Sequence, residues 1–589
     1  MSDAYSRRLT EAAAALVRAQ SIQRSARAGL AATVFLFIIL SGYAMKKDIA
    51  WAWPALAGAG GVLAGRAHAR SGKAAYRWWR VNQWYRRALA RTTADWEGSG
   101  ESGEEFEPAG HVYARDLNVF GVGSLFELLS IARSGVGRQG LAGYLLEPAG
   151  PEEIRARQQA VRELRGQAEL RERMALLGKS ASAQSHGATF EAWLKMPAAP
   201  FSRWFRAAIA ATSIYVAVVI VCGLLGLLPW IVTGRYLLPV LALHAAADLA
   251  VRPQVNRMIL SSRLLAGETG VVQEGLALMA AQRFDAPKLV AMSDRVRGAA
   301  ACLGRLEFLL RILEERHKEW FYLPGLAVML GTQVCAAVES WRIHHGAALA
   351  EWLEAWAEFE ALNCLAGYSY ENPDHAFPEI DDGPARFVAK ALGHPLLPDD
   401  GCVRNDVALS PEARFYVISG SNMSGKSTLL RAMGLNAVLA QAGAPVRADV
   451  MRLSPLAVCA SIATVDSLLE GKSKFLAEVE RLREAIQLAN AERPVLFLID
   501  EIFSGTNSRD RRVAAEAVIR ALVERGAIGA LSTHDLALSE IAGAEMAGVN
   551  VHMGSRNGSD PMDFDYRLKP GVTKEANALA IARMAGVPV

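Results

Sequence analysis

Four long apolar runs interrupt an otherwise mixed chain. Residues 28–45 and 49–65 carry no charge, and only Lys46, Lys47 and Asp48 separate them. Each run is near the shortest helix that crosses a hydrocarbon core of about 30 Å. A second pair follows: 207–234 is uncharged up to Arg235, and 236–247 stays apolar apart from His244 until Asp248. The pattern predicts two transmembrane helical hairpins, one at 28–45 and 49–65, the other near 207–231 and 235–251. The last limb is the least typical, because it carries His244 and Asp248. Arg7, Arg8, Arg18, Arg24 and Arg27 precede the first pair, and Arg66, Arg70, Lys73, Arg77 and Arg80 follow it. Positive charge on both flanks places both ends of that hairpin in the cytoplasm. Trp51, Trp53, Trp78, Trp79 and Trp84 suit the membrane interface or the core of a juxtamembrane helix. A cleavable signal peptide fits less well, since the apolar run starts late and a second run follows at once. The uncharged run 321–338 is long enough for a fifth span, but an odd number of crossings would separate the regions before 207 and after 340. It is expected as a buried helix of the soluble part.

Between and after these runs the pattern changes twice. Residues 92–110 are acidic and rich in Gly and Ser, as in a solvated linker. Residues 111–206 and 252–384 show Leu and Ala at helical spacing; Pro151-Glu152-Glu153 opens a helix, and 154–177 is charged and amphipathic. From about 385 short β-rich runs alternate with helices: 414–419 (RFYVIS), 494–500 (PVLFLID) and 527–532 (AIGALS). That alternation predicts a parallel sheet with covering helices over 385–589.

Composition narrows the picture only a little. The chain has 589 residues and a net charge of +4 with 52% hydrophobic residues, too apolar for extensive disorder. A mean hydropathy of +0.15 agrees with membrane segments. The 6 cysteines are scattered without a CxxC or a Cys/His metal spacing, which argues against a disulfide framework or a zinc site.

The chemistry is concentrated in the β-rich region. Gly420-Ser421-Asn422-Met423-Ser424-Gly425-Lys426-Ser427 has the spacing GxxxxGK[ST] and lies between RFYVIS and a helical run beginning at Thr428. In that setting backbone N–H groups and a helix N-terminus form an anion site. Lys426 can reach the β- and γ-phosphates of a nucleotide, and the Ser427 hydroxyl can ligate Mg²⁺. Asp500 follows Lys426 by 74 residues and, with Glu501, ends an apolar strand. Ligands of parallel sheets bind at such strand ends. Asp500 is placed to hold Mg²⁺ through water, and Glu501 to activate the attacking water. Ser532-Thr533-His534 ends a third strand, where His534 can sense the γ-phosphate. The basic sets Arg509, Arg511, Arg512 and Arg155, Arg157, Arg162, Arg165 lack interleaved aromatics and read as solvated helix faces rather than a nucleic-acid surface.

These motifs, in this order, resemble the MutS family of mismatch-repair ATPases. GSNMSGKSTLLR resembles its phosphate loop, and LIDEIFSGTNSRD its Asp-Glu strand with the loop Gly505, Thr506, Asn507 and Ser508. Asp466-Ser467-Leu468, Gly471 through Phe475 and Glu478 resemble its intervening segment, which in that family approaches the partner subunit's nucleotide. Gly393-His394-Pro395-Leu396 and Asn405-Asp406 resemble the start of its ATPase domain near the adenine. Tyr566-Arg567-Leu568 and Gly571, with 580–588, resemble its last ATPase helix. Upstream, Asp116 to Phe120, Ser124-Leu125-Phe126, 137–148 and Arg157 to Val161 resemble its core domain, and 252–365 its lever helices. The departures are a membrane hairpin in place of the mismatch-reading domain, and an apolar hairpin near the expected DNA clamp. The single Phe-x-Glu triplet, Phe377-Pro378-Glu379, stands just before the ATPase domain.

The expected architecture is an α/β P-loop NTPase domain (ABC-ATPase-like) at 385–589, an all-α core and lever at 111–206 and 252–384, and hairpins within 1–91 and 207–251, with 92–110 as linker. The resemblance implies ATP and Mg²⁺ as cofactors, with Glu501, Lys426 and His534 catalytic and Ser427 and Asp500 on the metal. Residues 420–428, His394 and Pro395 would bind the nucleotide. It also implies a homodimer, with Ser473 or the Gly505–Ser508 loop near the partner's site. The localisation expected is multi-pass in the plasma membrane of a bacterium, with the ATPase domain cytoplasmic and lipid as a partner. Three outputs stay open: a DNA-binding repair ATPase, a membrane-signalling or remodelling ATPase with no DNA, and an ABC-like transporter subunit. The last would need an LSGGQ-type helix start, which the sequence lacks.

Overall fold

A computed structural model describes the chain except for residues 1, 94, 179–187, 198–200, 316–324, 326, 422, 463–473, 492, 504–507, 555, 557–562 and 574–589. It forms two compact units, Met1–Ser130 with Gln167–Leu176 and Gly367–Val589, and Ile131–Gly166 with Leu177–Ala366. These borders cut across the expected ones. Residues 111–130 and 367–384 belong with the ATPase region rather than with the helical segments.

The first unit begins with two long helices, α1 (Ser2–Met45) and α2 (Ala52–Thr92), lying antiparallel. Small residues let them approach. A Cβ added at Gly58 would meet the Phe37 ring at 3.4 Å, and one at Gly72 would meet Gln23 Nε2 at 3.2 Å. The ends away from the connecting turn are knotted: Tyr5, Ala12, Val81, Tyr85 and Ala88 form a buried cluster. Arg91 grips Glu371 through two hydrogen bonds of 2.7 Å, and Tyr5 donates to the same carboxylate at 3.3 Å.

Three described helices are long and apolar enough to cross a membrane: Asp3–Met45, Arg203–Leu224 and Trp230–Pro253. The limb expected at 49–65 is not among them. Its helix starts at Ala52 and meets Arg66 after roughly 21 Å, and Gly and Ala lower its hydropathy. The segment 92–110, expected as a loose linker, is tied down. Trp96 is buried, and Glu127 accepts the N–H groups of Gly100 and Gly123, both at 2.8 Å.

The second unit is helical: α3 (Gly135–Leu146), α4 (Pro151–Arg165), α5 (Arg203–Leu224), α6 (Trp230–Ala280) and the greater part of α7 (Leu330–Glu371). Pro151 opens α4 as expected; the amphipathic run breaks at Gly166 and resumes as a short helix over Ala168–Ala175, which belongs to the first unit. The second hairpin turns at 225–229, with Gly226 at φ +71° and Pro229 before α6, so Gly234 and Arg235 lie inside a helix. His244, the residue that counted against the last limb, is buried and satisfied on both ring nitrogens, by Ala327 O and Thr212 Oγ1, each at 2.8 Å. Of the run 321–338, residues 321–324 and 326 lie outside the described set; Val334, Cys335, Ala336 and Val338 are buried on α7. Two buried carboxylates hold the start of α3. Glu360 on α7 accepts from Arg133 N at 2.6 Å and from the Ser134 hydroxyl, and Glu268 on α6 accepts from Val136 N at 3.0 Å. Burial, reinforced by the Glu268 charge and opposed by those hydrogen bonds, pushes the Glu360 carboxyl up to about 7.

The rest of the first unit carries two sheets. β1 (Glu379–Ile380), β2 (Phe387–Leu392), β3 (Asn405–Leu409) and β5 (Val450–Leu453) form the smaller, in the order β1-β5-β2-β3. β4 (Phe415–Ser419), β6 (Ala457–Ser461), β7 (Val495–Asp500), β8 (Ile528–Thr533), β9 (Gly548–His552) and β10 (Lys569–Pro570) form the larger. Its order is β10-β9-β4-β8-β7-β6, parallel except for β10. The three strands expected at 414–419, 494–500 and 527–532 are β4, β7 and β8, side by side. Their runs are apolar throughout because both faces are covered. On one face Phe415 and Phe497 pack with Leu482 of α9 (Lys474–Leu488) and Ile519 and Leu522 of α10 (Ser508–Glu524). On the other, Leu498 lies against Gly434 of α8 (Lys426–Ala442), where a Cβ would come within 2.9 Å of it. Residues 566–571, expected within a last helix, instead lead into β10; the helical remainder of that expectation lies outside the described residues.

Candidate functional site

Parallel register brings the motifs together. Ser419 pairs with Thr533, and Asp500 with Ser532, so the ends of β4, β8 and β7 form one polar edge. The loop after β4 carries the phosphate-binding motif into α8. Gly420 cannot bear a side chain, because a Cβ would sit 2.4 Å from the Met553 carbonyl oxygen. Gly425 caps α8 at φ +98°, a conformation that favours glycine. Lys426 is buried and donates to Gly420 O at 2.9 Å and Ser421 O at 2.8 Å. Burial pulls its ammonium below the ordinary value, while Asp500 and Glu501 act in the other direction.

Ser427 Oγ donates to Asp500 Oδ2 at 2.5 Å, and the Ser532 hydroxyl donates to Oδ1. Glu501 follows at φ +54°, with its N–H on Ser532 O at 3.1 Å. This left-handed conformation is costly for a glutamate. It turns the carboxylate toward His534, whose Nδ1 lies 3.0 Å from Glu501 Oε1. Glu478, on α9, braces the same turn by accepting Phe503 N–H at 2.6 Å.

Beside the loop is a pocket of about 260 Å³ whose lining includes His394, Cys402, Val403, Thr428, Met553 and Tyr566. His394, expected near a nucleotide base, lines it; burial, then Arg431 and Arg447, lower its pKa to about 4, so the ring is neutral. Pro395 is buried and does not line the pocket. Cys402, Val403 and Met553 carried no motif in the sequence. Tyr566 had been noted only for its resemblance to a family segment. Asn405 fixes it, donating to Tyr566 O at 3.0 Å and accepting from Leu568 N at 2.7 Å. Asn422, Ser473, Gly505, Thr506 and Asn507 lie outside the described residues, and Ser508 opens α10. Met423 is exposed at φ +70°.

The donor set fits a nucleotide phosphate. Among the described residues the buried hydroxyls of Ser421 and Ser424 have no hydrogen-bond partner, and they sit in a glycine-shaped cradle with Lys426. Buried polar groups left unpaired are costly, and a phosphate oxygen would satisfy them. Ser427 and Asp500 offer two hard oxygens, enough for Mg²⁺, which usually takes one or two protein ligands and completes its shell with phosphate and water. Among the described residues no cluster of three His, Cys, Asp or Glu could hold a metal alone.

Sequence comparison points the same way. The family description MutS domain V matches residues 416–589. The chain is 32% identical over 286 residues to a DNA mismatch repair protein MSH6 from Arabidopsis thaliana, covering 45% of this chain and 21% of that protein. It is 38% identical over 204 residues to an endonuclease MutS2 from Thermus thermophilus, covering 34% and 27%. It is 34% identical over 195 residues to a DNA mismatch repair protein MutS from Lactobacillus delbrueckii subsp. bulgaricus, covering 33% and 22%. The chain thus spans about a quarter of the length of these relatives.

Proposed function

We propose that this chain, a member of the MutS family, is a membrane-tethered ATPase that hydrolyses ATP with Mg²⁺ and acts as a homodimer on DNA. The observation that carries the reading is the convergence of Lys426, Ser427, Asp500, Glu501 and His534 on one sheet edge. Lys426 leaves the loop carbonyls and takes the β- and γ-phosphates. Ser427 and Asp500 would hold Mg²⁺, which would supply charge neutralisation to the phosphate oxygens. Glu501 orients the attacking water and takes its proton, and His534 steers the Glu501 carboxylate. The pocket walled by Tyr566 and His394 receives the base. Tethering is supported by outward-facing apolar side chains on the hairpins, among them Phe35, Ile38, Ile214, Val218 and Leu238. The dimer follows the family resemblance, which implies Ser473 or the Gly505–Ser508 loop near the partner's site.

DNA mismatch repair is in the names of two of the relatives. A second reading, an ATPase that drives a membrane event without DNA, is favoured by three features. The Phe377-Pro378-Glu379 triplet runs into β1, where Glu379 pairs in register with Arg452. Arg512 is engaged with Glu540 at 2.6 Å and Arg511 with Phe503 O at 3.1 Å. Arg157 lies over the Tyr144 ring at 3.5 Å and bonds Glu153.

The test is phosphate release and DNA anisotropy on the purified chain, with Lys426→Ala beside it. Wild type is expected to hydrolyse ATP only with Mg²⁺, and Lys426→Ala to lose both binding and turnover. Hydrolysis unchanged in Lys426→Ala would sink the ATPase assignment. Duplex affinity that falls with salt supports the DNA reading; its absence at low salt in an active preparation leaves the membrane reading.

A further inference from the structure

Where the second hairpin begins, the helical unit holds a pocket of about 470 Å³ that the ATPase reading does not use. Its wall is the first turn of α5, with Arg203, Arg206, Phe201 and Phe205, and its other side is α7, with Thr332 and Gln333. Four observations converge on one kind of ligand. First, Arg203 and Arg206 are exposed and make no ion pair among the described residues. Glu339, the acid on α7 one turn beyond the pocket, is already engaged by Arg342 at 2.7 and 2.9 Å. Second, Ser202 makes no side-chain cap, so the first N–H groups of α5 are not satisfied by it and can receive an anion. Third, Thr332 is in the lining and 2% exposed, and its hydroxyl has no hydrogen-bond partner among the described residues. Gln333 does not share that need; its amide donates to Val328 O at 2.7 Å and Ser213 Oγ at 3.1 Å. Fourth, the aromatic rings are placed as at a membrane interface. Phe201 and Phe205 stack at 6.1 Å, and Trp204 is 85% exposed, immediately before the uncharged length of α5.

We propose that this pocket binds the phosphate of an anionic phospholipid headgroup, held by the Arg203 and Arg206 guanidinium groups, the open N-terminus of α5 and the Thr332 hydroxyl. Arginine matches phosphate through paired N–H donors, where lysine would supply only a point charge. The apolar lower part of the wall, Ala207, Ile209 and Ala210, continues toward the acyl region, which a soluble phosphate would leave empty. The proposal rests on the membrane reading of α5 and deepens it by naming the lipid class.

The test uses the full chain in nanodiscs, of phosphatidylcholine alone or mixed with phosphatidylglycerol, with lipid retention read by native mass spectrometry after detergent extraction. Wild type is expected to retain phosphatidylglycerol in preference to phosphatidylcholine. The double variant Arg203→Gln/Arg206→Gln should lower that retention roughly ten- to thirtyfold, from the loss of two interfacial charges. Thr332→Val should lower it less while raising the unfolding temperature, since it removes an unpaired buried hydroxyl. Equal retention by wild type and both variants overturns the proposal. Displacement of the lipid by inorganic phosphate or glycerol phosphate would assign the pocket to a soluble phosphate and overturn the lipid assignment. Alkaline carbonate extraction of membranes separates the two levels. Release of the wild-type chain removes the membrane reading and the proposal with it. Retention in the bilayer with no lipid selectivity removes the proposal alone.

Discussion

The carboxylate of Glu478 accepts the backbone N–H of Phe503 at 2.6 Å, and so braces from behind the turn that presents Glu501. Both Glu501 and Phe503 have left-handed backbone conformations, near φ +54°. Such strain persists only where surrounding contacts hold it. Glu478→Ala is therefore expected to lower kcat about tenfold or more, the cost of the charge-assisted hydrogen bond that holds Phe503 N–H two residues after Glu501, while leaving the Kd for ATP within about twofold. Stopped-flow nucleotide binding beside steady-state turnover separates the two. A rise in Kd with kcat intact would place Glu478 at the nucleotide instead.

Glu501→Gln keeps the shape of the side chain and removes the base. Turnover should fall by about 10²- to 10⁴-fold with ATP still bound, and gel filtration should show an ATP-stabilised dimer. Loss of nucleotide binding in this variant would contradict the role given to Glu501.

Tyr566 walls the pocket beside the GxxxxGKS loop, proposed to take the base, and Asn405 holds its backbone through both ends of one amide. Removing the ring with Tyr566→Ala is expected to raise KM for ATP roughly tenfold, on the scale of one base–aromatic stack; Tyr566→Phe should be near wild type. Asn405→Ala should reproduce part of that KM effect and cost about 0.5–1.5 kcal/mol of stability, because two part-buried backbone groups lose their partner. An unchanged KM in Tyr566→Ala would move the base elsewhere.

The two units are expected to answer pH in opposite directions. His375 and His394, in the first unit, are lowered by burial from 6.5 to about 4. The unfolded chain then binds more protons between those values, so the first unit loses stability as pH falls from 6.5 toward 4. Glu360, in the second unit, is raised from 4.5 to about 7. Its contribution is present below 4.5 and is lost as pH rises through 7. Hydrogen exchange at several pH values should show amides near 394 opening faster in acid and those near 134–137 opening faster above pH 7. Glu360→Gln should abolish the second trend. The same slope in that variant would locate the titrating group elsewhere.

How much was legible depends on how local each signal is. β4, β7 and β8 are buried on both faces, so their sequences are unbroken apolar runs that stand out at once. β6 (AVCAS) and β9 (GVNVH) are built from small or alternating residues and gave no such signal. The phosphate loop, Asp500 and Glu501 are contiguous motifs, and their alignment required only that their strands be parallel neighbours. Tyr566 reaches the pocket through the β9–β10 pairing, and Cys402 through the loop before β3, so neither had a local mark. His244 argued against a span because its partners, Thr212 and Ala327, lie 32 and 83 residues away. Trp96 inside an acidic, Gly-rich stretch was the one sign that 92–110 packs rather than swings free.

The α1–α2 pair has a mechanical consequence. Both helices run unbroken from the Tyr5–Tyr85–Arg91–Glu371 knot to the tip at Lys46 and Lys47. A helix cannot bend sharply without breaking its hydrogen-bond ladder, and α1 is about 65 Å long. A rotation of some 5° at Glu371 therefore displaces the far end by about 6 Å. Glu371 ends α7, from which the chain runs on to β1, so an angular change at that base would reach the far end of the pair as translation. The chain thus has the geometry of a pointer with a short driven end and a long reading end.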